Sequence, residues 1–305
     1  MTQLGLPYMG SKRKLATPLI DFMMTQNPKA KYFFDLFGGG GAMSFNALQR
    51  KQFKEVHYNE FDSGVVELIN KILDDGVIKD FYQWIDRDTF MKHKNDDDWF
   101  GGLVKVIWSF GNSGHGYLYG TDIEEDKRLL HEIVVNEDIT SMNMFNENFD
   151  LSLRFKEETP LFKENINQRR LRLTREIKKH YGRFDLQHLE RLQHLESLQH
   201  LESLNITNLS YEEVIINTPI EETIVYLDPP YKDTGKYQKD IDHDMLYDYI
   251  KNSPYRIYMS SYEAPFECVY ELKHRSSLSA TSNNEVTERL FCNKPIKELD
   301  MKDLF

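Results

Sequence analysis

The stretch Thr223-Ile224-Val225-Tyr226-Leu227-Asp228-Pro229-Pro230-Tyr231 sets a β-rich apolar run directly against an acid, two prolines and an aromatic ring. An uninterrupted apolar run of this length is the pattern of a strand buried on both faces of a parallel sheet. Neither proline can donate an N–H, so the ladder must stop at Asp228. The chain is thereby held stiff at the carboxyl end of a strand, where open α/β sheets bind their ligands. A carboxylate, a backbone carbonyl and a ring are presented together there. Asp228 and the Pro229 carbonyl can accept the two protons of an exocyclic amino group, while Tyr231 stacks on the ring that bears it.

Working outward, the first seventy residues repeat a strand–helix alternation. Tyr32-Phe33-Phe34-Asp35-Leu36-Phe37 is a strand-length apolar run that stops at Gly38-Gly39-Gly40-Gly41. Helical spacing precedes it from Lys12 to Met24 and resumes from Ala42 to about Arg50. A second strand is predicted over Val56–Glu60, then a helix through Val65, Val66, Leu68, Ile69 and Ile72. This βαβα succession predicts a parallel sheet. Further elements are expected after residue 206: a helix over Met245–Lys251, a strand over Arg256–Ser261 and a late strand over Val286–Cys292. Between them, residues 76–205 lose the alternation, so one α/β domain split by a large insertion is expected.

The glycine stretch after Asp35 lets backbone approach a ligand closely. It lacks both the strict Gly-x-Gly-x-x-Gly spacing and the Gly-Lys-Ser/Thr anchor of a phosphate loop. Glu60, at the end of the next strand, is placed to bond ribose hydroxyls. Ahead of the first strand, Tyr8-Met9-Gly10-Ser11-Lys12-Arg13-Lys14 joins a basic cluster to an aromatic and a glycine.

The insertion holds three unusual stretches. Trp108–Gly120 is rich in aromatics and glycine. Arg169, Arg170, Arg172, Arg175, Lys178, Lys179 and Arg183 face only Glu176, which fits either a solvated helix face or phosphate contacts. Leu-Gln-His-Leu-Glu recurs at 186, 192 and 198, with leucine at every third position to Leu204. A three-residue step drifts by about 60° around a helix. On one helix, leucines so spaced would wrap around it and not hold a face, so the spacing leaves a small stacked or irregular structure as open as a helix. His188, His194 and His200, six apart, have a poor metal spacing.

Composition narrows the class. The 305 residues are 40% hydrophobic, 13% aromatic and 29% charged, which excludes disordered and collagen-like chains. No apolar run nears the ~18 residues of a membrane span, and the N-terminus lacks a signal-peptide pattern. Cys268 and Cys292 are too few for a disulfide framework or a zinc site, so a cytoplasmic protein is expected. The formal net charge of −11 argues mildly against a nucleic-acid partner. Binding is decided by local fields, however, and the charge is uneven.

Taken in order, Tyr8-x-Gly-Ser-Lys12, Asp35-Leu-Phe-Gly-Gly-Gly-Gly, Asn59-Glu60 and Asp228-Pro-Pro-Tyr231 resemble the Dam-type DNA adenine-N6 methyltransferases. Ser260-Ser261-Tyr262-Glu263 and Glu288-Arg289-Leu290-Phe291 look like that family's closing segments. The resemblance implies a Rossmann-like α/β sheet, formed by 1–75 and 206–305, with a mainly helical target-recognition insertion over 76–205. It implies that Tyr8, Gly10, Lys12, Asp35, Phe37, Gly38, Gly39, Gly40, Glu60 and Asp228 bind S-adenosylmethionine, leaving S-adenosylhomocysteine as product. Asp228, Pro229, Pro230 and Tyr231 would carry catalysis without a metal. Phe110, Asn112 and His115, with Arg169, Arg170, Arg172 and Arg175, would contact duplex DNA. A monomer is expected, and a cognate restriction endonuclease is a candidate partner. Cytosine-N4, RNA or protein amides are alternative acceptors, because they fit the same hydrogen-bonding geometry. A nicotinamide oxidoreductase would leave Asp-Pro-Pro-Tyr without a task, and a non-enzymatic scaffold would leave every α/β motif unexplained.

Overall fold

The computed structural model describes residues 4–157, 163–181, 184–198, 204–230, 241–275 and 285–296. The chain opens with α1 (Ala16–Gln26), β1 (Tyr32–Asp35), α2 (Ala42–Leu48), β2 (Glu55–Asn59) and α3 (Ser63–Asp75). Six helices follow: α4 (Arg87–His93), α5 (Trp99–Trp108), α6 (Glu124–Asn136), α7 (Ile139–Phe149), α8 (Ile166–Tyr181) and α9 (Gln187–Glu196). The chain then returns to the sheet with β3 (Leu204–Thr207), β4 (Thr223–Leu227), α10 (His243–Asn252), β5 (Arg256–Ser261), β6 (Glu267–Arg275) and β7 (Glu285–Cys292).

The seven strands lie in the order β3-β2-β1-β4-β5-β7-β6. The first five are mutually parallel, and β7 runs antiparallel to both β5 and β6. Because β1 lies between β2 and β4, strand order reverses there, which makes the carboxyl ends of β1 and β4 the crevice of a Rossmann-like sheet. Residue alternation sends Phe33, Ile224 and Tyr226 to the face covered by α1 and α2. Phe34, Val225 and Leu227 point the other way, against Leu246 and Ile250 of α10. Both faces are therefore buried, which is why β1 and β4 read as unbroken apolar runs.

Two strands go beyond the sequence expectations. β3 begins at Leu204, the last leucine of the repeat, and its burial pattern gives no clean alternation. β6 is a pairing partner of β7 at the sheet edge, and its alternation is broken by a register shift between Cys268 and Tyr270.

The insertion is helical and packs directly on α3. Asp62 caps α3 by accepting from the Val65 amide at 3.3 Å, and Val65, Leu68, Ile69 and Ile72 face inward at helical spacing. α5 crosses so closely that a Cβ on Gly102 would lie 1.9 Å from the Gly64 carbonyl. One apolar cluster then runs from Tyr58 of β2 through α3 and α5 to the leucines of α9.

The repeat corrects an expectation. Leu186, Leu189, Leu192, Leu195 and Leu198 are all buried. Only the middle three lie within α9, so their drift spreads them over about 120°, still one face. The flanking two fold in from outside the helix ends. A short helix escapes the wrapping that a long one would suffer. His200 and the rest of 199–203 lie outside the described residues.

Candidate active site

A cavity of about 490 Å³ opens at the carboxyl ends of β1 and β4. Its walls include Tyr8, Gly10, Lys12, Asp35, Phe37, Gly38, Gly39, Gly40, Glu60, Asp228, Pro229 and Pro230, drawn from four separate sequence motifs. Tyr231, with the remainder of 231–240, lies outside the described residues.

Local structure explains the glycine loop. β1 ends at Asp35, and the chain turns through Gly38–Gly41 into α2. Gly39 has φ +48°, a left-handed conformation that favours glycine, and its amide donates to Glu60 Oε2 at 2.7 Å. Glu60 Oε1 accepts from the Asp62 amide at 2.9 Å. Burial nevertheless raises the Glu60 pKa, and those two amides only partly offset it. Tyr58 completes the cradle by donating its hydroxyl to the Gly39 carbonyl at 2.7 Å.

Asp35 is the electrostatic oddity of the cavity. It is 1% exposed, and only Oδ2 is bonded, to the Ser44 hydroxyl at 2.8 Å. Oδ1 is buried without a hydrogen-bond partner. Burial first, then the nearby charges of Asp228 and Glu60, push its pKa up to about 7, although the Ser44 bond opposes this. A buried acceptor left open on a cavity wall is suited to a cationic ligand.

Asp228 meets a buried cation. Lys12 Nζ stands 2.9 Å from Asp228 Oδ1 and 3.5 Å from Glu288 Oε1 on β7. The Lys12 and Glu288 side chains are each 6% exposed and that of Asp228 20%. The basic cluster ahead of the first strand is thus no solvated face at Lys12. In the sequence Glu288 reads only as part of a closing segment, and its position beside Lys12 depends on a strand pairing that no local pattern reveals.

Other wall residues carry no sequence motif. Lys105 of α5 reaches Asp62 at 2.6 and 2.8 Å, tying the insertion to the start of α3. Phe37 stacks on Tyr211, with ring centroids 5.3 Å apart, across the β1 and β3 loops. The Asp-after-strand position of Asp62 is a readable helix-cap signal; the choice of Lys105 as its partner is not.

The residues expected to touch DNA divide. Asn112 lines the cavity, together with Ser113 and Gly114. Phe110 and His115 sit on the same loop and face solvent, Phe110 being 70% exposed. The arginine stretch is corrected. Arg169 and Arg170 are 3% and 6% exposed. Arg169 bonds the Val134 and Glu164 carbonyls and Glu137, while Arg170 donates to Gln193 at 3.0 Å. Arg172 forms a two-pronged pair with Glu164, both contacts at 2.8 Å. On α8, positions 169, 173 and 177 form one stripe, and Leu173 and Ile177 pull that stripe into the core. Arg175, Lys178 and Lys179 occupy the outward arc and remain exposed. Arg183 lies outside the described residues.

Among the described residues, no cluster of histidine, cysteine or acidic side chains could hold a metal. Nor is any described helix long and apolar enough to cross a membrane.

No curated protein sequence matches the chain. Eighteen solved chains do. One of them, a Haemophilus influenzae protein provisionally described as a methylase, is 12% identical, with 92% of this chain and 88% of that one covered at a TM-score of 0.29. A sequence model of the family described as D12 class N6 adenine-specific DNA methyltransferase matches residues 8–299. The chain therefore belongs to the D12 class of N6 adenine-specific DNA methyltransferases.

Proposed function

We propose that the protein methylates the N6 amino group of an adenine flipped out of duplex DNA, with S-adenosylmethionine as donor. The observation that carries this reading is the shared cavity: the Asp228 tip and the glycine loop, at the ends of the neighbouring strands β4 and β1, line one space. S-adenosylmethionine, when bound, supplies a methyl group made electrophilic by its sulfonium.

The chain's own residues fit such a ligand. Asp35, with its open buried oxygen, suits a cationic group. Glu60 retains lone pairs beyond its two amide bonds and can accept from ribose hydroxyls. Tyr8, Gly10, Lys12 and the Phe37–Gly40 turn would enclose the remainder.

Asp228 and the Pro229 carbonyl would accept hydrogen bonds from the adenine amino group. Those bonds orient its lone pair and stabilise the positive charge that develops on nitrogen. Lys12 would then act as the fixed counter-charge that holds the Asp228 carboxylate in place, with Glu288 sharing it. Flipping costs a few kcal/mol. Stacking on Tyr231 would return roughly 1–3 kcal/mol of that, by analogy with single-strand binding.

In this reading residues 1–75 and 206–305 catalyse and 76–205 recognise the target, with the Phe110–Gly116 loop approaching the duplex. The cytoplasm, a monomer and a cognate endonuclease remain parts of the proposal. The direct test is transfer of labelled methyl to unmethylated duplex DNA. Asp228→Ala should lower kcat by roughly 10²–10³ or more, while S-adenosylmethionine still binds, more weakly. Near-normal methylation by that variant would refute the assignment of Asp228.

A further inference from the structure

The leucine repeat is the one sequence motif to which the proposed reaction gives no task. Its helix, α9, touches the loop proposed to meet DNA at both of that loop's ends. Arg191 Nη1 lies 2.7 Å from the Ile107 carbonyl and 2.7 Å from the Ser109 carbonyl, where α5 ends and the loop begins. Terminal helix carbonyls have no partner within the helix and carry its negative dipole end, so a half-buried cation there is well matched. Burial lowers the Arg191 pKa to about 10, which leaves the guanidinium charged at neutral pH. One helical turn earlier, fully buried His188 shares a 2.7 Å hydrogen bond between its Nδ1 and the Tyr119 hydroxyl, on the leg where the chain leaves the loop.

Between these anchors the loop is closed by two backbone bonds. The Phe110 amide donates to Gly116 at 2.7 Å, and the Leu118 amide donates to Trp108 at 2.8 Å. The tip is conformationally demanding, since Gly111, Asn112 and Gly114 have φ of +63°, +57° and +74°. Asparagine is among the few non-glycine residues that take this region readily, so Asn112 suits its place between two left-handed glycines. The tip puts Phe110 into solvent and Asn112 on the cavity wall.

We propose that Arg191, seconded by His188, is a positioning residue for duplex DNA: the repeat helix fixes both legs of the 110–116 loop and so sets the pose of Phe110 and Asn112. The proposal rests on that loop being a DNA-contacting element. Removing the guanidinium strands the carbonyl of fully buried Ile107 and leaves that of Ser109 with only the 3.3 Å bond from the Asn112 amide. The Ile107 carbonyl can regain a partner only if the loop leg shifts.

The experiment compares full-length Arg191→Ala, Arg191→Lys and Phe110→Ala with the parent. KM for unmethylated duplex DNA, the Kd of S-adenosylmethionine and amide hydrogen exchange at Phe110 and Leu118 are read well below each melting point. Arg191→Ala should raise KM for DNA about tenfold or more, leave the cofactor Kd within about twofold, and speed exchange at both amides. Arg191→Lys keeps the charge but not the fork, so it should give a smaller change of the same kind. It also decides the matter should Arg191→Ala not fold: parental KM and exchange in the lysine variant overturn the proposal. Losses in cofactor and DNA affinity by the same factor overturn it too, as the sign of a merely structural arginine. If Phe110→Ala raises KM while both Arg191 variants match the parent, the positioning role fails and the loop assignment stands. If Phe110→Ala leaves KM unchanged, the loop assignment itself fails and takes the proposal with it.

Discussion

The sheet tip at Asp228 and the arginine stretch of α8 are both rich in charge, yet the fold treats them oppositely. Asp228, Lys12 and Glu60 gather at a cavity wall. Arg169 and Arg170, which look like ready phosphate ligands in the sequence, are turned into the core. The difference lies in what constrains each region. At the tip, a strand end and two prolines leave the backbone little choice, so residue order alone places the carboxylate. On α8, direction is set by the helix face, and Leu173 and Ile177 select the face that is buried. Charge in a local window therefore says little until the helical phase is known.

The sharpest way to break this contrast is Arg169→Ala. Breaking a buried, hydrogen-bonded charge should cost about 3–5 kcal/mol of stability, read by chemical denaturation at neutral pH. A variant that folds with parental stability but binds DNA poorly would restore Arg169 to the DNA surface.

Next in size is the pH response of the helical insertion. Burial lowers the pKa of His131 to about 3 and that of His188 well below its ordinary value. The unfolded chain would protonate both near 6.5, whereas the folded chain would not. Stability should then be constant above pH 7 and fall as pH drops below about 6.5, by up to about 1.4 kcal/mol per pH unit for each histidine. Denaturation midpoints of His131→Gln, measured across pH 4–8, should show a shallower decline than the parent; an identical slope would remove His131 from the account.

The sheet cavity should respond to pH through a different group. With the Asp35 pKa near 7 before binding, a cationic ligand must drive off a proton below that pH. S-adenosylmethionine affinity should rise with pH, approaching tenfold per unit well below 7, and level off above it. Calorimetry with Asp35→Asn should give a weaker and flatter profile, and an unchanged profile would direct attention to another titrating group.

The smallest expected effect concerns the outward arc of α8. If Arg175 touches phosphate, Arg175→Ala should weaken binding at every sequence and reduce the salt slope by about one. No change in slope would leave that arc as a solvated surface.

Much of the sheet and its covering helices is legible in the residue order. The strand–glycine–helix order around Asp35, the strand ending at Asp228 and the helix at 245–251 all follow from local stereochemistry. β6 is not legible, because an edge strand with a register shift shows no clean alternation. The repeat misleads because its leucines would drift off one face only along a long helix, whereas α9 spans Gln187–Glu196. The burial of Arg169 does leave a signal, since Leu173 and Ile177 follow it at four-residue steps.

Residue order alone settled where the backbone must turn and stop, because glycine and proline act through torsions and missing donors that need no distant neighbour. Only the assembled fold decided that Lys12 meets both Asp228 and Glu288, and that Arg191 reaches the end of α5. Those contacts join segments far apart in the chain. Their energies depend on burial and distance, quantities that come into being only when the segments pack.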